Sequence, residues 1–69
     1  MSPEQCKAAR ALAGMSQQEL AQAAEVAVAT LAAFEQGKRT PYKRTLSAMQ
    51  TALEARGVTF TPDGVRTNA

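Results

Sequence analysis

The chain has 69 residues; 15 are alanine and only 15 are bulky apolar residues, so the length supports one small domain with a thin core. Eight basic and six acidic residues leave a net charge of +2, which by itself says little about a partner. With no histidine and a single cysteine there is no zinc ligand set, no Cys/His dyad and no internal disulfide, which fits a reducing, cytoplasmic compartment. No apolar run approaches the ~20 residues that span a bilayer, and no signal peptide is recognisable. No cofactor and no membrane partner are expected.

In chain order, Ser2-Pro3-Glu4-Gln5 reads as a cap, a proline at the first helical position and a capping-box glutamine. Cys6, Ala9, Leu12 and Ala13 follow at helical spacing, and Gly14 ends this first helix. Ser16-Gln17-Gln18-Glu19 is a second capping box, with Met15 and Leu20 placed for a hydrophobic staple. That helix runs to about Ala24. A third helix is expected over roughly Val28 to Gln36, with Leu31 and Phe34 inward, closed by Gly37. Thr40-Pro41 opens a fourth segment carrying Leu46, Met49, Ala52 and Leu53, closed by Gly57. The tail then alternates at period two through Val58-Thr59-Phe60-Thr61, turns at Pro62-Asp63-Gly64 and returns at Val65-Arg66, with residues 67–69 frayed.

Two short helices joined at Glu25 to Ala27 form a helix-turn-helix arrangement over residues 17–36. Leu20, Ala21, Ala24, Val26, Leu31 and Phe34 are the positions that must be apolar for the two helices to cross, and Ala21 sits where a larger side chain holds them apart. Beyond them, Lys38, Arg39, Lys43 and Arg44 fall within seven residues that include no acid. A basic loop of this kind tracks a polyanion backbone; the alternative is a solvated loop that only aids solubility.

The run Met15-Ser-Gln-Gln-Glu-Leu-Ala-Gln, the Val-Ala-Thr-Leu segment, Phe34-Glu-Gln-Gly-Lys-Arg-Thr-Pro41, Thr45-Leu46 and Leu53 resemble the phage-repressor/Cro-type (XRE-like) helix-turn-helix regulators over about Ala8 to Leu53. The resemblance implies an all-α, four-to-five-helix lambda-repressor-like domain at 1–57, followed by a short strand or hairpin at 58–69. It makes helix 28–36 the recognition helix, lying in the major groove of double-stranded DNA. It places Gln17 on a phosphate, aided by the N–H groups of its own helix start, and sets Lys38, Arg39, Thr40, Lys43 and Arg44 along the DNA backbone. It also pairs Arg10 with Glu35 in a partly buried salt bridge that fixes geometry more than it adds stability.

Three departures from the family pattern matter. Glu25 occupies the turn position usually held by glycine. Ala27 stands where the recognition helix usually has a serine or threonine cap. The groove-facing positions are Ala27, Val28, Ala29, Ala32 and Ala33, with only Thr30 and Gln36 polar nearby and Gln18 at the groove edge. Base-specific hydrogen bonding normally uses Arg, Gln, Asn or Lys. One reading is DNA binding through backbone contacts, thymine methyls, Gln36 and DNA shape. The other is an apolar face that meets a regulatory protein, as in an anti-activator or accessory factor. An antitoxin-type dual role is the third.

Family members dimerise on pseudo-palindromic operators, so a homodimer acting as a repressor by occlusion is expected, located with the nucleoid. Val58 and Phe60 could pair with the same strand of a partner; an intramolecular hairpin is the equal alternative. The acids show no clustered motif and Cys6 reads as a small buried hydrophobe, so no enzyme is expected.

Overall fold

Capping residues set most of the helix ends in the computed structural model, which describes residues 1–67. Helices α1 (Pro3–Ala13), α2 (Gln17–Ala24), α3 (Val28–Glu35) and α4 (Lys43–Glu54) are followed by strands β1 (Val58–Thr61) and β2 (Gly64–Thr67). Both capping boxes are closed. The Ser2 hydroxyl accepts from the Gln5 N–H at 3.1 Å while Gln5 Oε1 accepts from the Ser2 N–H at 2.9 Å. Ser16 and Glu19 repeat the exchange at 3.0 and 2.9 Å.

Three helices finish in the same way, with the N–H one residue past a left-handed position bonded back across the last turn. The pairs are Met15 to Arg10, Val26 to Ala21 and Lys38 to Ala33, each at 2.9 Å. Glycine takes the left-handed position after α1 (Gly14, φ 67°) and α3 (Gly37, φ 75°), but after α2 it is Glu25 at φ 58°. A side chain there is strained by ~1 kcal/mol. Ala27, at the cap of α3, makes no side-chain hydrogen bond, which forgoes another ~1 kcal/mol. Glu25→Gly and Ala27→Ser are therefore each expected to raise stability by ~1 kcal/mol in chemical denaturation. The sites are two residues apart, so the double variant tests whether the gains add.

Two helix details differ from expectation. The fourth helix starts at Lys43, not at Thr40-Pro41. Thr40 precedes a proline, which disfavours the helical region, and Tyr42 at the cap is still extended (φ −57°, ψ 151°). Pro41 is instead buried ahead of the helix. Leu12, expected inward on α1, is 44% exposed. It lies roughly 120° around the helix from Cys6, at the edge of the buried stripe of Cys6 and Ala9.

The core gathers Cys6 and Ala9 of α1, Met15 of the α1–α2 connection, Leu20 and Ala21 of α2, Leu31 and Phe34 of α3, Met49 and Leu53 of α4, and Val58 of β1. Ala21 is 3% exposed, so the small side chain is indeed at the packed surface of α2.

The strands pair with each other, antiparallel, with Val58 opposite Thr67 and Thr61 opposite Gly64 across a two-residue turn. The Gln5 side chain bolts this turn to α1: its Nε2 donates to the Thr61 and Gly64 carbonyls at 2.8 and 3.0 Å. The tail is thus an intramolecular hairpin seated on the helices. Val58, one of the two possible dimer contacts, is 2% exposed in the core and is not presented to a partner; Phe60 packs partly against the same core and keeps some surface. Thr67 ends β2 and is ordered in the ladder, while the fraying expected of residues 68–69 lies outside the described residues.

Candidate nucleic-acid interface

The geometry of the helix-turn-helix is held by one polar network. Glu35, in the last turn of α3, is 4% exposed. Arg10 of α1 meets it with two charge-assisted hydrogen bonds, Nε to Oε2 at 2.6 Å and Nη2 to Oε1 at 2.7 Å. Gln17 Nε2, in the first turn of α2, donates to Oε1 at 3.0 Å, and the Cys6 thiol donates to Oε2 at 3.2 Å. A further Arg10 hydrogen bond, Nη1 to the Met15 carbonyl at 3.1 Å, fastens the α1–α2 connection. One carboxylate therefore joins α1, α2 and α3, and no side-chain polar atom buried among the described residues lacks a partner.

Burial pushes the Glu35 carboxyl upward, but the hydrogen bonds from Arg10, Gln17 and Cys6, with the Arg10 charge, outweigh it and hold the group below the usual carboxylate range. The same hydrogen bond to Glu35 raises Arg10. Cys6 is pushed up to about 12, first by burial, then by its hydrogen bond to Glu35 and the negative charge there. Its thiol is therefore protonated and shielded at neutral pH. In native protein, Cys6 is expected to react with a disulfide reagent at least ~10²-fold slower than in denatured protein, and absorbance stopped-flow checks this.

Gln17 has two amide hydrogens, and the network uses one. The contact also sets the start of α2 beside the last turn of α3, from which the basic segment emerges at Lys38. Gln17 is half-buried and Gln18 exposed.

The outward side of α3 carries the expected small residues. Ala27, Val28, Ala29 and Gln36 are exposed, whereas Thr30, Ala32 and Ala33 are half-buried. Val28 is 45% exposed, a large fraction for an apolar side chain in a thin-cored protein. The helix is apolar on nearly every side; Leu31 and Phe34 face the core, and alanines cover much of the rest.

Lys38, Arg39, Thr40, Lys43 and Arg44 are all exposed. None of the four cations enters an ion pair among the described residues, where the one salt bridge is Arg10–Glu35. Gly37 takes the left-handed position after α3, and after the buried Pro41 the start of α4 carries Lys43 and Arg44. Sequence reasoning passed over Tyr42, which is 80% exposed between the two basic pairs. The available signal was an aromatic residue amid lysines and arginines.

The described residues include no cluster of Cys, Asp and Glu that could hold a metal ion. None of the described helices is long and apolar enough to cross a membrane. A family model described as helix-turn-helix matches residues 7–57, from the first helix to the turn after the fourth. No curated protein gives a match. The packed pair α2 and α3, tied to each other and to α1 through Glu35, and a family match over most of the chain lead to one assignment: the chain belongs to the Cro/C1-type helix-turn-helix family of DNA-binding regulators.

Proposed function

We propose that this protein is a sequence-selective transcriptional regulator that binds duplex DNA as a homodimer and represses by occluding a promoter. The observation that carries the reading is the run of exposed, unpaired cations, Lys38, Arg39, Lys43 and Arg44, directly after the recognition helix. Uncompensated charge flanking a helix with small outward side chains suits a partner with anionic walls around a groove wide enough to admit that helix. The major groove is such a partner. Gln17 with its spare amide hydrogen, and Thr40, complete the phosphate contacts. Ala27, Val28, Ala29, Thr30, Ala32, Ala33 and Gln36 form the groove face, with Gln18 at its edge.

Size supports dimerisation. The longest extent of one chain is 30 Å, less than the ~34 Å between successive major-groove half-sites. One copy therefore engages one half-site, and a pseudo-palindromic operator needs two. The exposed part of the hairpin around Phe60 is the proposed contact.

The test is equilibrium binding to a random duplex pool and to duplexes selected from it, titrated with salt. The reading expects a selected duplex to bind well above the random pool, two chains per site, with affinity falling steeply as salt rises. The apolar groove face favours the competing reading, a regulatory protein as partner. Failure to bind any duplex would support that alternative.

A further inference from the structure

We propose that the groove face of α3 reads thymine 5-methyl groups, so that the operator half-site presents thymines in the major groove beneath Val28, Ala29 and Ala32. The proposal rests on the DNA-binding reading above and names the chemistry of its target. Each base pair shows the major groove a pattern of donors and acceptors, and thymine alone adds a methyl group. A helix reads the polar pattern with side chains that carry donors or acceptors. Along the outward side of α3, the exposed positions Ala27, Val28 and Ala29 and the half-buried Ala32 and Ala33 carry none. The polar side chains of this face are Thr30, half-buried as Ala32 is, and Gln36, at the far end of the helix. What this face offers is methyl groups, and their natural counterpart in the groove is the thymine methyl.

Steric fit points the same way. A helix with ordinary side chains is about 10–12 Å across, against a groove about 12 Å wide. Alanines reduce that diameter on the groove side, so the backbone of α3 can go deeper. Val28, in the first turn, projects furthest of these residues and is already 45% exposed in the free protein. The surrounding cations supply affinity from the phosphates, which leaves the face only the task of discriminating. A protein partner meeting the same methyl surface would have to match the basic rim with acidic groups.

The experiment compares the tightest duplex selected by the full chain with a copy in which deoxyuridine replaces thymidine inside the protected site. Deoxyuridine keeps every hydrogen-bonding group and every phosphate and loses only the methyl. Each contacted methyl removed should weaken binding about fourfold, and two or three should compound to about fifteenfold to sixtyfold. The salt slope should stay unchanged, because the charges are unchanged. Deoxyuridine placed outside the site should have no effect. Val28→Ala, at an exposed position, should keep its melting temperature and discriminate less between the two duplexes. Equal binding of the thymidine and deoxyuridine sites, with steep salt dependence retained, would overturn the methyl proposal and leave DNA binding standing. Absence of salt-dependent binding to any duplex would overturn the DNA reading and this inference with it.

Discussion

Glu35→Ala will cost about 3–5 kcal/mol, because it leaves the Arg10 guanidinium, with its side chain 19% exposed, facing an emptied site. It also strips partners from Gln17 and the Cys6 thiol. A domain of this size rarely has more than about 3–5 kcal/mol in total, so the variant should be largely unfolded by circular dichroism at ordinary temperature. The double replacement Arg10→Met with Glu35→Leu should recover most of that loss, since exchanging a buried pair for apolar residues is far less damaging than orphaning one member. If Glu35→Ala melts like the wild type, the carboxylate is not the tie between the three helices.

Acid makes the same point without mutation. The folded-state pKa of Glu35 is lowered relative to the unfolded chain. Its contribution to stability is therefore fully present above the unfolded carboxylate value of about 4.3 and is lost as pH falls through the lower folded value. Denaturant midpoints should fall on acidification through that window, and Arg10→Met with Glu35→Leu should flatten the dependence.

The second large effect concerns binding. Lys38→Ala with Arg39→Ala should reduce affinity on the order of tenfold to a hundredfold near physiological salt, for random and selected duplexes alike. It should lower the salt slope by about 2 per chain. Both side chains are exposed and make no ion pair among the described residues, so the double variant should melt like the wild type. A fold effect and a binding effect are thereby separated. Retained affinity and slope would remove these residues from the backbone contacts.

The helix boundaries that were legible in the sequence are those with side-chain chemistry at their ends. Ser2 with Gln5 and Ser16 with Glu19 are local exchanges, complete within four residues, and the structure closes both. The left-handed Glu25 was legible for a different reason: the family spacing demands a turn there whatever residue fills it. Helix α3 offered no amphipathic signal, being apolar on nearly all sides, and was found from its flanks. The start of α4 was misplaced because Thr40-Pro41 resembles a cap and a first-turn proline, whereas the burial of Pro41 depends on tertiary packing that no local pattern carries.

The tail shows the limit most clearly. Period-two alternation identifies a strand but not its partner, so intramolecular and intermolecular pairing were equal on the sequence. What anchors the hairpin is Gln5, 56 residues from Thr61, whose amide was legible only as part of a capping box. Glu35 was similar. Its pairing with Arg10 was expected from the family resemblance, but the added hydrogen bonds from Gln17 and Cys6 depend on the helix crossing. They show that the residue expected at a phosphate is also a member of the network that orients α3.

The most direct test of the central claim, that α3 and the basic segment after it form a DNA-binding face, is amide chemical-shift mapping of the full chain titrated with its selected duplex. The largest changes are expected at residues 17–18, 27–36 and 38–44, with the hairpin at 58–67 little affected. Changes centred on the hairpin or on α1, with residues 27–36 unmoved, would contradict it.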